Sequence, residues 1–131
     1  MLLSDSSQDK WELKYWEYDT GRSWVAEEIE AFVKKNNVLF ILMTKKISWL
    51  LNRELKDLEK KQDLASLGSN LWELKIHVSM NELRFLGIIE EGSSVFNALL
   101  FFHKKDQKIK NVYFNKVQDR IKIYQIKKIK L

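Results

Sequence analysis

The run from Val95 to His103 constrains the fold of this chain more than any other stretch. Successive residues of a strand point to opposite faces of its sheet, and here both sets of positions are largely apolar. Because such a strand is covered on both faces, we predict an interior strand with protein packed on each side. The run ends abruptly at His103, Lys104 and Lys105, so polar side chains follow where the strand leaves the core.

Two strands with a different pattern precede this run. Residues 71–78 place Trp72 and Leu74 on one face and Glu73 and Lys75 on the other, which is the alternation of a half-buried strand. Residues 82–89 place Arg84 on the same face as Glu82, opposite Leu83 and Phe85. We predict a hairpin turn around Asn81 and a second turn over residues 90–93.

The same periodicities predict the secondary structure of the other segments. Aromatic residues alternate over residues 11–18 and predict a strand. Ser23 is placed to cap a helix that ends near residues 36–37, and apolar residues at helical spacing predict one long helix over residues 38–61. Residues 107–111 form a polar linker before a basic helix over residues 112–124.

The predicted fold is therefore a single α+β domain over residues 1–131. Its order is an N-terminal strand, two helices, a small antiparallel sheet and a C-terminal helix. We expect residues 1–9 to be a loose N-terminus and residues 125–131 to be a basic tail.

The charge of the chain is unevenly distributed. Its formal net charge is +5, and residues 101–131 hold ten basic and two acidic side chains. A concentration of one sign raises the local potential and attracts polyanions. Aromatic residues are interleaved with these charges, which favours a folded basic surface over a solvated lysine tail.

Composition excludes several classes of function. The chain has no cysteine, so disulfides and thiolate chemistry are excluded, and neither of its two histidines has a partner at metal-ligand spacing. We predict no metal and no cofactor. The longest apolar run, Val38 to Met43, is too short to cross a bilayer, and no signal peptide is recognisable. We therefore expect a soluble cytoplasmic protein with no membrane partner.

Four features, in order, resemble the RelE superfamily of toxins from bacterial type II toxin–antitoxin modules, in particular its HigB-like, phage-derived branch. Residues 71–75, Leu-Trp-Glu-Leu-Lys, are similar to that branch's Leu-Trp-Glu-Leu-Arg. Residues 83–86 carry a single strand arginine, Arg84, in an apolar setting. Residues 99–105 resemble its Leu-Leu-His-x-Phe-x-Lys-Lys, and Arg120 and Tyr124 match the end of its last helix.

The resemblance implies a RelE-like fold and a toxin that cleaves mRNA on the translating ribosome without a metal. It also implies a protein antitoxin, normally a HigA-like protein with a helix-turn-helix domain, that holds the toxin inactive. Two alternatives remain open: a ParE-like inhibitor of DNA gyrase, and a basic RNA-binding protein without catalysis.

The resemblance and the chemistry of phosphate cleavage together select the candidate residues. Fixed positive charge stabilises the phosphorane, histidine transfers protons near neutral pH, and aromatic rings stack unpaired bases. The candidate catalytic residues are Arg84, Lys75, Lys104, His103 and Tyr124. The candidate RNA-binding residues are Lys105, Tyr113, Arg120, Lys127 and Lys128.

Each candidate has a structural alternative. Arg84 could form a surface ion pair with a neighbouring carboxylate, and Lys75 could lie on a solvated strand face. His103 could be a half-buried histidine satisfied by hydrogen bonds, and Tyr124 could be a core residue. Arg120 could cap carboxylates at a sheet edge. The lysines after residue 125 could be a solvated tail.

Overall fold

The computed structural model describes residues 8–129 of the chain. It contains four helices and seven strands within that range. The strands are β1 (Glu12–Tyr15), β2 (Glu17–Asp19), β3 (Arg22–Ser23), β4 (Leu64–Gly68), β5 (Leu71–Val78), β6 (Asn81–Ile89) and β7 (Val95–Lys104). The helices are α1 (Trp24–Val33), α2 (Asn37–Leu51), α3 (Leu55–Lys60) and α4 (Asn111–Ile129).

Five strands form the main sheet in the order β1-β7-β6-β5-β4. All neighbours are antiparallel except β1, which runs parallel to β7. A second, two-stranded sheet pairs β2 with β3. The predicted α+β class, with an N-terminal strand, helices, an antiparallel sheet and a C-terminal helix, is confirmed.

Apolar side chains pack on both faces of the sheet around β7. One face packs against α1 and α2, where Phe85 and Phe101 meet Ile29 and Met43. The other face packs against α4, where Phe102 meets buried Val117. The prediction that β7 is an interior strand covered on both sides is therefore confirmed.

Helix α1 begins where the sequence predicts. Ser23 has extended backbone angles, and its hydroxyl accepts a hydrogen bond from the Ala26 N–H at 3.2 Å. This bond satisfies one of the N–H groups that lack a partner in the first turn. The helix ends at Val33, and Asn36 precedes α2, so the predicted break near residues 36–37 is also confirmed.

The single long helix predicted over residues 38–61 is wrong. Helix α2 ends at Leu51, and Glu54 is extended before α3 begins. The N-terminal segment satisfies carbonyl groups at this end: the Trp11 indole donates to the Leu50 carbonyl at 3.0 Å, and the Lys10 N–H donates to the Leu51 carbonyl at 2.7 Å. Apolar spacing could not reveal the break, because helical spacing persists across it.

Two predictions about the strands also need correction, and one strand was missed. Residues 11–18 form two strands instead of one, since the chain leaves the main sheet at Trp16 and folds back through Gly21. Strand β4 was not predicted. The turn between β5 and β6 consists of Ser79 and Met80, both with positive φ, and Asn81 is the first residue of β6.

The predicted basic tail over residues 125–131 is largely helical. Helix α4 continues to Ile129, so Lys127 and Lys128 belong to its last turn. Residues 130–131, and residues 1–7 of the predicted loose N-terminus, lie outside the described residues.

Candidate functional site

Strand β7 is longer than the strand beside it. β1 runs alongside β7 only as far as Tyr15, which lies opposite Ala98. Within residues 8–129, no strand pairs with residues 99–104 on that side. The backbone of this stretch therefore meets the side chains of α1 and α4, which flank the edge from the two faces of the sheet.

An ion pair caps the first part of this open edge. The Glu28 carboxylate accepts a hydrogen bond from the Phe101 N–H at 2.9 Å, and Arg120 donates to the Leu99 carbonyl at 2.7 Å. The two side chains also bind each other at 2.9 Å. Backbone groups that β1 would otherwise bind are thus satisfied from the two helices. Arg120 also lies over the Trp24 ring, 5.0 Å from its centroid.

Glu28 keeps its contacts in a half-buried position. Burial raises the pKa of the Glu28 carboxyl, although the Phe101 N–H and Arg120 act in the opposite direction. Glu28 was not among the functional residues predicted from the sequence. The helical spacing of α1 indicates that Glu28 faces the sheet. That spacing does not identify its partner Phe101, which lies 73 positions along the chain.

A cleft of about 510 Å³ opens beyond this cap, between α1 and α4. We call it the β7 cleft. Its walls come from the second half of α1, the end of β7, the linker and the start of α4. Its charged and polar lining residues are Glu28, Asn36, His103, Lys104, Lys105, Asp106, Lys108, Lys110, Tyr113 and Lys116. Five lysines stand against two acidic residues, so the cleft is positive.

His103 lines the cleft and has a defined tautomer. Its Nε2 lies 3.0 Å from the Asn81 Oδ1, and Asn81 Nδ2 donates to the Ser79 carbonyl, which fixes the orientation of the amide. Nε2 must therefore carry the hydrogen, leaving Nδ1 as the proton acceptor. The ring also meets Phe32 edge-on, with centroids 5.8 Å apart. The predicted alternative, a half-buried histidine satisfied by hydrogen bonds, describes this position in part, because Nε2 is hydrogen-bonded while Nδ1 has no hydrogen-bond partner among the described residues.

Burial lowers the pKa of His103, and the positive charge of Lys105 lowers it further. Both effects disfavour the imidazolium, so the ring is neutral near pH 7. A neutral imidazole with a free Nδ1 can accept a proton.

Replacing Lys105 with alanine should raise the pKa of His103 toward its ordinary value. The variant removes the charge that repels the imidazolium but leaves the ring half-buried, so the pKa should remain below that of a free histidine. NMR titration of the His103 ring protons measures this, with His77 as the internal reference. Lys122→Ala, which removes an exposed charge on α4, is the matched control. A His103 pKa that stays constant or falls in Lys105→Ala would contradict the proposed geometry.

The remaining predicted residues of the cleft have distinct contacts. Lys104 donates to the Gln107 carbonyl at 2.7 Å, so it is tied to the linker, whereas Lys105 is exposed. The Tyr113 ring stacks on Phe102 with centroids 4.1 Å apart. The structure thus brings His103, Lys104, Lys105 and Tyr113 together in one cleft, with Arg120 bound to Glu28 beside it.

Arg84 lies apart from the cleft, on the α4 side of β6. Its side chain is 7% exposed; Nε donates to Glu73 and Nη1 to Glu82, both at 2.8 Å. The predicted alternative, an ion pair with a neighbouring carboxylate, is therefore present, but it is buried and not at the surface. The guanidinium is occupied by two carboxylates, and its contact with phosphate stays a prediction.

Lys75 is half-buried and lies opposite Arg84 in the pairing of β5 with β6. His77 and Glu82 also face each other in this register and are in contact. Burial would raise the pKa of the Glu82 carboxyl, but hydrogen bonds from His77 and Arg84 hold it below its usual value. Lys75, Arg84 and His77 thus lie beside the two carboxylates Glu73 and Glu82 on this face, so its charges are more nearly balanced than those of the positive cleft.

The last candidates lie along the second half of α4. Tyr124 is buried and meets Trp16 edge-on at 5.1 Å, and burial raises the pKa of its hydroxyl. Lys127 contacts the Tyr18 carbonyl, and Lys128 contacts Glu90. None of these three residues lines the β7 cleft.

Searches of the chain against protein-family models, curated proteins and solved structures found no match. The resemblance to the RelE superfamily therefore stays a prediction. Over residues 8–129, no helix combines the length and apolarity needed to cross a bilayer. In the same range, no three histidine or acidic side chains are grouped so that they could hold one metal ion.

Proposed function

We propose that this protein is a toxin of the RelE/HigB kind, a ribosome-dependent mRNA endoribonuclease whose reaction takes place in the β7 cleft. The observation that carries the proposal is the grouping of His103, Lys104, Lys105 and Tyr113 in one positive cleft. In this proposal the protein acts in the cytoplasm, and a helix-turn-helix antitoxin neutralises it.

The reaction is an attack of a ribose 2′-hydroxyl on the adjacent phosphate. The neutral His103 takes the hydroxyl proton, the 2′-oxygen bonds to phosphorus, and the bond to the 5′-oxygen breaks. The products are a 2′,3′-cyclic phosphate and a new 5′-hydroxyl. The leaving oxygen takes its proton from a cleft ammonium group or from water. The lysines stabilise the charge that develops on the phosphate oxygens.

The depressed pKa of His103 gives this reaction a pH dependence. A general base must be unprotonated, so cleavage should be fastest above the pKa of His103 and should decline as the pH falls through it. That decline lies below the ordinary histidine value of 6.5, because burial and Lys105 lower the pKa.

One observation favours a rival, a basic RNA-binding protein without catalysis. Arg84, which the resemblance places among the catalytic groups, is neutralised by two carboxylates and lies outside the cleft. Such a protein would bind RNA through the lysines of the cleft with a strong dependence on salt, and it would leave the RNA intact.

The two histidines provide a matched test of the catalytic proposal. Purified wild-type protein, His103→Ala and His77→Ala are incubated with translating ribosomes, and new RNA ends are mapped. We expect cleavage by the wild type and by His77→Ala. Loss of a general base typically costs ~10²–10⁴-fold in rate, and we expect this loss for His103→Ala.

The other outcomes distinguish the alternatives. Salt-sensitive RNA binding with no new ends in any reaction would identify the non-catalytic protein. Intact RNA together with blocked DNA supercoiling would identify a ParE-like gyrase inhibitor. Equal cleavage by His103→Ala and the wild type would remove His103 from the mechanism.

A further inference from the structure

The open edge of β7 continues past the Glu28–Arg120 cap. Successive residues of a strand direct their N–H and C=O groups to opposite sides, so residues two apart share a side. The Phe101 N–H meets Glu28 at the open edge. The Phe101 carbonyl and, two residues on, the His103 N–H therefore face that same edge.

These two groups lie within the β7 cleft, which Phe101 and His103 both line. An acceptor at one residue and a donor two residues later present a pair of parallel hydrogen bonds. The Watson–Crick edge of a nucleobase offers a donor beside an acceptor, which matches such a pair.

The surroundings suit a nucleotide better than an extended peptide. A peptide adding to a sheet forms hydrogen bonds along several residues, but Glu28 and Arg120 already occupy the Phe101 N–H and the Leu99 carbonyl. A nucleobase needs one main-chain acceptor and one main-chain donor, and the Phe101 carbonyl and the His103 N–H are still available.

The Tyr113 ring lines the same cleft. Lys104 is bound to the Gln107 carbonyl and Lys110 to Asp106, but the excess of lysines still leaves the cleft with a net positive charge that attracts phosphate. The cleft volume of about 510 Å³ falls in the ~300–1,000 Å³ range of small-molecule sites.

We propose that the open edge of β7 is a base-binding subsite, in which the Phe101 carbonyl accepts a hydrogen bond from an unstacked base and the His103 N–H donates one to it. The inference rests on the proposed function and deepens it, because the subsite would select the nucleotide beside the cleaved phosphate. Because main-chain groups would bind the base, no side-chain motif in the sequence would reveal this subsite.

Two substitutions at one position separate the N–H from the imidazole. His103→Ala and His103→Pro both remove the ring, but proline alone removes the N–H. Proline is tolerated where a strand N–H faces an open edge, so the fold should persist, and circular dichroism checks it. Binding is measured by fluorescence anisotropy with RNA pentamers of adenosine, cytidine, guanosine and uridine.

We expect the wild type and His103→Ala to prefer the same pentamer. His103→Pro should bind that pentamer about 2- to 10-fold more weakly than His103→Ala does, which corresponds to one neutral hydrogen bond, and its affinities for the four should converge. If His103→Pro keeps the preference of His103→Ala, the N–H does not contact the base. The inference would then be wrong, while cleavage on ribosomes would still support the proposed function.

A second measurement does not depend on the proline variant. In the ¹⁵N-labelled wild type, the preferred pentamer should move the His103 amide proton downfield, as a new hydrogen bond does. No shift of this amide at saturation would overturn the inference. A shift caused by an acidic peptide and not by RNA would also overturn it, since the edge would then bind a strand. If no pentamer binds and no ribosomal cleavage occurs, the proposed function fails as well.

Discussion

Replacing Arg84 with alanine is expected to lower the free energy of unfolding by about 3–5 kcal/mol. The arginine side chain is 7% exposed and the Glu73 side chain 8% exposed, and they bind each other at 2.8 Å. Alanine would leave the Glu73 carboxylate buried without this partner, and an unpaired buried charge is costly. Domains are typically stable by about 5–15 kcal/mol, so the loss would be a large fraction of the total. Urea unfolding measures it.

A double variant separates the cost of the unpaired charge from other effects. Replacing both Arg84 and Glu73 with methionine removes the charges together and roughly keeps the volume. Exchanging a buried ion pair for apolar side chains is often neutral or stabilising, so the double variant should recover most of the stability lost in Arg84→Ala. If it remains as unstable as Arg84→Ala, the unpaired Glu73 is not the cause.

The same double variant tests the role of Arg84 in function. The activity of Arg84→Ala alone cannot decide this, because unfolding of the variant and loss of a phosphate contact would both abolish cleavage. A stable double variant that still cleaves RNA would assign Arg84 to the fold. A stable double variant without cleavage would support the phosphate contact that the resemblance implies.

The second large effect is expected at Gly87. Replacing it with alanine should lower the free energy of unfolding by about 3 kcal/mol or more, which is the upper end of the usual cost of overpacking. A Cβ at this position would lie 2.3 Å from the Asn97 carbonyl oxygen and 2.6 Å from the Phe96 ring. The first of these atoms belongs to the backbone of β7, so relief requires the two strands to separate. The irregular pairing between Leu86 and Gly87 accompanies this close approach.

Gly92→Ala is the control for Gly87→Ala. Gly92 has a φ of +75°, and no atom lies within 4 Å of the position its Cβ would take. Alanine there meets strain in the backbone alone, about 1–2 kcal/mol. Thermal and urea unfolding should therefore show that Gly87→Ala is clearly less stable than Gly92→Ala. Equal losses would show that the strands accommodate the added methyl group.

Local patterns were sufficient for the central strands and the first helix. The two-residue alternation of β5 and β6 and the apolar run of β7 follow from burial on particular faces, which each strand records in its own sequence. The same holds for Ser23, whose cap is completed within three residues. Contacts between residues far apart in the chain could not be predicted from such local patterns. At the end of α2 the Leu50 carbonyl binds the distant Trp11 indole, and β1 pairs in parallel with the distant β7.

The candidate site divides in the same way. His103, Lys104 and Lys105 were predicted together because they are adjacent where β7 leaves the core, and they do lie in one cleft with Tyr113. Arg84 was selected as a lone cation in an apolar strand. Its partner Glu73 is 11 positions away, and the pairing of β5 with β6 alone brings them together.

The α+β class, the faces of the central strands and the concentration of positive charge after residue 100 could all be predicted without the structure. These properties follow from residue type and spacing along the chain. Which charges remain available depends on the folded chain, where Arg84 binds Glu73 and Glu82 inside the protein and Arg120 binds Glu28 at the edge of β7. A charge is neutralised by groups that are close in space, and strand pairing and helix packing set those distances.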